Sequence, residues 1–160
     1  MSGAVAVLVL VGAIGAACNG GVLFAFSAFV MPALHRLPTA QGVAAMQSIN
    51  VTAVRAPFML VFGGTALVSV ALIVVALRAL DEPYAPWLIA GAVLYLVGVV
   101  GLTIAFHVPR NDSLAALAPD APGTTAAWAT YLSEWTAANH VRAAAGLLAA
   151  AALGIAVRVG

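Results

Sequence analysis

Four long apolar stretches dominate the chain, and the short segments between them hold most of its polar residues. The first runs from Gly3 to Val30 and closes near Met31-Pro32. It is too long for a signal-peptide core and no charged segment precedes it, so it reads as a transmembrane helix. A polar segment with His35, Arg36, Gln47, Asn50 and Arg55 follows, and Pro57 predicts a kink in its helix. Phe58 to Leu77 reads as the second span and Trp87 to Phe106 as the third, with Trp87 at the membrane interface. From His107 to Thr125 the chain is rich in Pro, Asn, Asp and Gly, which predicts a turn region. Thr124 or Thr125 then caps a last helix, amphipathic at first and uniformly apolar from Ala143 to Val157. The expected architecture is all-α: an integral membrane four-helix bundle with a kinked second helix and an amphipathic start to the fourth. It forms one domain over residues 1–160, with spans near 3–31, 57–78, 86–107 and 138–158. No internal repeat is strong enough to assign.

Composition identifies the solvent. Hydrophobic residues make up 64% of the chain and charged residues 7%, against roughly a quarter charged in a soluble domain. The mean hydropathy of +1.12 agrees. The lipid bilayer is therefore the first partner, and the expected location is multi-pass, in a bacterial-type inner or plasma membrane. A formal net charge of +1 without a basic run gives no nucleic-acid surface. All six basic residues are Arg, which excludes lysine Schiff-base chemistry. Cys18 is alone, so no internal disulfide or Cys-pair metal site forms.

Four spans also sort the polar residues by side. His35, His107 and His140 fall at the pole of the first and third loops, with Asn50, Arg55, Arg110, Asn111, Asn139 and Arg142. Ionisable residues in a membrane bundle are costly and usually face its interior, so this pole is the candidate site. Trp128, Tyr131, Trp135, Asn139 and Arg142 follow helical spacing along one face. They read either as an interfacial aromatic belt or as an aromatic-walled pocket with a polar floor. Asn19, deep in the first span, must find a partner: a neighbouring helix, water or substrate. The expected cofactor set is empty. The alternative is copper or iron held by His35, His107 and His140, although their spacing carries no ligand motif.

The segments Phe106-His-Val-Pro-Arg-Asn111 and Trp135-Thr-Ala-Ala-Asn-His-Val-Arg142 resemble the anthrone oxygenase-like family of small four-span membrane proteins. Its pattern is a V-P-x-N turn after the third span and a W-T-x-x-N-H-x-R segment leading into the fourth. Asn19-Gly-Gly-Val, Val30-Met-Pro-Ala-Leu34 and Met46-Gln-Ser-Ile-Asn50 look like its first-half motifs. The resemblance implies a membrane oxidoreductase that uses O2 on a flat, apolar, phenolic or anthrone-like molecule. On that reading His140 is the general base and Asn139, Arg142 and Asn111 stabilise the oxyanion. Trp128, Tyr131, Trp135, Asn19, Asn50 and Arg55 hold the substrate. Two rivals stay open: a histidine-bound metal oxygenase, and a non-enzymatic carrier or accessory protein. Small residues such as Gly63-Gly64 and the Ala-rich fourth span leave a homo-oligomer open.

Overall fold

The computed structural model describes residues 1–160 and is helical throughout. Five helices follow in order: α1 (Gly3–His35), α2 (Thr39–Ala53), α3 (Phe58–Leu77), α4 (Ala85–Ala115) and α5 (Thr124–Val159). All but α2 are long and apolar enough to cross a membrane. The chain is thus a multi-pass membrane bundle of four spans, with the shorter helix α2 packed at one end.

Several boundaries differ from expectation for physical reasons. Pro57 does not kink a continuous helix; residues 54–57 leave it, so α2 and α3 are separate. The Asn111 region is no turn, because α4 continues through His107 and Pro109 to Ala115. Likewise α1 passes Pro32 and ends at His35. Proline has no N–H and its ring crowds the carbonyl four residues back. Both helices widen to a π-turn just upstream, at Phe26–Val30 and Thr103–His107, and in α4 a longer π-helical segment, Leu94–Gly101, precedes it. Each π-turn ends in Ala-Phe-x-x-Pro, Ala28–Pro32 and Ala105–Pro109. That shared motif is a sequence signal for two matched devices. At the start of α5, Gly123 takes the cap position with φ of 87°, and Thr124 instead donates a hydrogen bond to the Ala118 carbonyl at 2.9 Å.

Small residues let α1 and α5 touch. A Cβ on Gly20 would lie 2.8 Å from the Leu147 backbone nitrogen, and one on Gly146 would lie 2.9 Å from the Gly20 Cα. By contrast, a Cβ on Gly63 or Gly64 would meet nothing within 4 Å, so neither glycine mediates a contact inside the chain. Three apolar clusters stack along the bundle axis. The one at the α2 pole joins Met31, Val43, Met46, Leu114, Trp128 and Tyr131. Gln47 ties α2 down by donating to the Leu114 and Leu117 carbonyls, at 2.9 and 3.0 Å. The Leu114 carbonyl, in the last turn of α4, also accepts from the Leu117 N–H at 3.1 Å, so Gln47 reinforces the end of that helix.

Candidate functional site

The two π-turns are where α5 docks its polar residues. Asn139 is fully buried and donates through Nδ2 to the Leu23 carbonyl and to Ser27 Oγ, both at 2.7 Å. Leu23 and Ser27 flank the start of the α1 π-turn, where the helical ladder loosens. Three residues on, Arg142 donates to Thr103 Oγ1 at 3.0 Å, at the start of the α4 π-turn. It also donates to Asn139 Oδ1 at 2.7 Å. Asn139 and Arg142 thus clamp the irregular turns of α1 and α4 together.

Arg142 is only 5% exposed and has no carboxylate partner; the sole ion pair of the chain joins Arg110 to Glu134 at 2.8 Å, elsewhere. A guanidinium has five N–H donors, and the Arg142 Nε–H finds no acceptor. Its guanidinium carbon lies over the Trp135 ring, 5.2 Å from the centroid. Removing a cation from water without a counter-charge costs several kcal/mol. Such an arrangement is suited to an anionic ligand.

A cavity of about 500 Å³ adjoins it. α1 contributes Leu23 and Phe26, α2 contributes Met46, Ile49 and Asn50, and Trp135 and Arg142 form the α5 wall. Arg55, exposed, and Phe58 stand at the α2–α3 connection. Most of the wall is apolar and no carboxylate lines it. Asn50 is close to the Tyr131 hydroxyl, yet its buried Nδ2 has no hydrogen-bond acceptor. Two donors without acceptors, one cationic and one neutral, therefore belong to residues of a single apolar cavity.

The other residues read from sequence divide between this wall and its support. Trp128 stacks on Tyr131 at 5.6 Å and packs over Gly42, inside the cluster at the α2 pole rather than on the cavity. Tyr131 and Trp135 donate to Asn111 Oδ1, at 2.9 and 3.1 Å. Asn111 therefore fixes the indole through Oδ1 and is not among the residues that line the cavity. Of the three aromatic residues read as substrate holders, only Trp135 lines the cavity. Asn19 lines a smaller adjoining cavity.

His140 faces outward, exposed, and is not on the cavity wall. α5 turns its inner face through Asn139 and Arg142, and His140, read from sequence as the general base, lies outside that face. The three histidines do not converge either. His35 and His140 are exposed and His107 is buried, and no three His, Cys, Asp or Glu side chains gather as a metal set. His107 packs edge-on against Trp135, with ring centroids 5.0 Å apart, and neither ring nitrogen has a partner.

A family model, that of anthrone oxygenase, matches residues 56–152. The chain belongs to the anthrone oxygenase family. The matched residues take in α3, α4 and α5 as far as Ala152, and so include Arg142, Asn139, Asn111 and Trp135. The cavity walls from α1 and α2 precede them in this anthrone oxygenase family member. No curated protein and no solved structure matches the chain.

Proposed function

We propose that the protein is a membrane oxygenase that binds a flat, apolar phenolic or anthrone-like molecule and promotes its oxidation by O2. The observation that carries this reading is Arg142: a buried cation without a carboxylate, beside Trp135, on the wall of an apolar cavity. An anthrone is a carbon acid whose conjugate base is aromatic. Its enolate oxygen is the kind of acceptor that the Arg142 Nε–H and Asn50 Nδ2–H lack. A nearby positive charge favours the ionised form of an acid, so Arg142 and Arg55 assist loss of the CH proton to water at the cavity mouth. No protein base is required.

The electron-rich carbanion passes one electron to O2, and recombination of the pair forms a C–O bond and a hydroperoxide. Loss of water then gives the carbonyl. In balance, the CH2 carbon and O2 become C=O and H2O, with one oxygen retained in the product. The chain's contribution is orientation against Trp135, oxyanion donation, and a poorly hydrated cavity in which both donors act strongly. Family membership supports the reaction class, and the cavity chemistry supports the substrate class.

The test is anthrone oxidation by purified protein in micelles, followed by quinone absorbance and O2 uptake against protein-free micelles. Arg142→Met is expected to lower kcat/KM by about a hundredfold, as for removal of one preorganised oxyanion donor. Arg142→Lys, which keeps charge but loses the fork, should fall between the two. A parent protein no faster than empty micelles, or an Arg142→Met variant at the parent rate, would overturn the proposal.

A further inference from the structure

Acidic residues are missing from the first half of the chain: the first Asp or Glu is Asp81, so α1, α2 and α3 carry none. Arg78, just past the far end of α3, has Asp81 and Glu82 close by in sequence. Arg55, three residues before α3 begins, has no such neighbour. It is exposed and makes no ion pair, because the only one in the chain joins Arg110 to Glu134. α3 has 20 residues and is about 30 Å long, the thickness of the hydrocarbon layer. Arg55 is therefore level with the lipid headgroups on one side of the bilayer, a cation that nothing in the chain balances.

Arg55 stands on the rim of the cavity of about 500 Å³, with Ser48 and Thr52, which are also exposed and are spaced along one side of α2. Below the rim the wall is apolar. Val22, Pro57 and Phe58 line both this cavity and the smaller one of about 240 Å³, which continues between α1 and α3 past Cys18 and Val61. Cys18, Val22 and Val61 are exposed, so the groove is open to lipid along its side. A cation at headgroup level above an apolar groove matches the charge order of a membrane lipid, phosphate above and acyl chain below. The planar guanidinium fork can hold two phosphate oxygens at once.

We infer that this rim seats an anionic phospholipid, with its phosphate on Arg55 and one acyl chain in the groove between α1 and α3. A phosphatidylcholine carries the same phosphate, but its own ammonium offsets the charge that Arg55 attracts. A phosphatidylglycerol has no such offset and is preferred by about fivefold, the contribution of one basic residue beside an anionic membrane surface. The acyl chain shares Val22 and Phe58 with the ring system proposed above, so lipid and ring system exclude one another. Only this competition rests on the oxygenase reading; the lipid seat does not.

The seat is tested in vesicles that mix phosphatidylcholine and phosphatidylglycerol, with dibrominated acyl chains on one lipid at a time. Bromine quenches indole fluorescence at short range. Trp87 is exposed at the start of α4 and meets any lipid, so Trp87→Phe is the background; of the other two Trp residues only Trp135 lines the cavity. Brominated phosphatidylglycerol should reach half-maximal quenching at about fivefold lower mole fraction than brominated phosphatidylcholine. Trp135→Phe in that background should remove the difference. Arg55→Gln should abolish it as well, whereas Arg55→Lys, which keeps the charge, should retain most of it. Arg36→Gln removes another exposed cation, one that does not line the cavity, and should leave the preference intact. Equal quenching by both lipids in the background protein, a preference that survives Arg55→Gln, or one that disappears in Arg36→Gln would overturn the seat. With anthrone present, phosphatidylglycerol should raise KM and leave kcat unchanged, and an unchanged KM in an active protein would overturn the competition. A lipid preference in protein that forms no quinone would instead sink the oxygenase reading and leave the seat standing.

Discussion

Asn139 and His140 are neighbours in sequence and opposites in environment. Asn139 makes three hydrogen bonds, to Leu23, Ser27 and Arg142, inside a fully buried site. His140 is exposed. Side-chain hydrogen bonds in membrane bundles average about 0.6 kcal/mol each, so Asn139→Ala should cost about 2 kcal/mol. In thermal unfolding in micelles that corresponds to a Tm lower by about 4–8 °C. His140→Ala should leave Tm almost unchanged and the oxidation rate within about twofold, as for substitutions away from packed features. An imidazole variant that lost turnover while keeping its Tm would restore a chemical role for His140. Helical spacing along the W-T-x-x-N-H-x-R segment already set Asn139 on one face with Trp135 and Arg142 and left His140 off it; what the spacing left open was whether that face lines a pocket or an interfacial belt. Once Trp135 and Arg142 are known to share the inner face, helical spacing places Asn139 with them, since three and four residues separate it from these two.

At the scale of elements, helix contacts in lipid depend on how closely backbones approach. Gly20 and Gly146 set the α1–α5 approach, and an added methyl at Gly20 meets backbone that has no rotamer through which to yield. Gly20→Ala should therefore destabilise by roughly 1–3 kcal/mol, the range for overpacking. Gly63→Ala enters open space and should be neutral or gain up to about 1 kcal/mol from helix propensity. Paired unfolding midpoints of the two variants test this, and equal shifts would mean that the α1–α5 contact is not the close one. The apolar runs made the number and type of spans legible, because burial in lipid demands them. Helix ends were less legible. Pro32 and Pro109 read as stops, since a regular α-helix cannot carry an interior proline cheaply. The π-turns remove that conflict, and they do so through tertiary partners, Asn139 and Arg142, that no local pattern displays. Asn50, by contrast, stood in a helix read from sequence, but its place on the cavity wall depends on the break at Pro57 folding α2 back.

For the whole molecule, helix length sets the depth of the site. α3 has 20 residues and is about 30 Å long, the thickness of the hydrocarbon layer. α5 has 36 residues and is about 54 Å long, so it must project. Phe58, the first residue of α3, lines the same cavity as Arg142. Arg142 is therefore level with the membrane boundary, and Trp128, Tyr131 and α2 form a cap beyond it. The smaller adjoining cavity, with Cys18 and Val61, opens between α1 and α3 towards lipid, since both residues are exposed there. A cleft with its polar end at the boundary and its apolar end in the bilayer draws an amphiphilic aromatic molecule from the membrane, ring system first. Its rate should then follow the substrate's concentration in the micelle phase. At fixed total anthrone, doubling the micelles should cut the initial rate roughly in half, because apolar burial keeps the ligand in the micelle. Val22→Trp, at a position that lines both cavities, should lower kcat/KM without moving Tm. A rate indifferent to micelle concentration would direct access instead through the aqueous mouth beside Arg55, where an anionic substrate would meet a cation first.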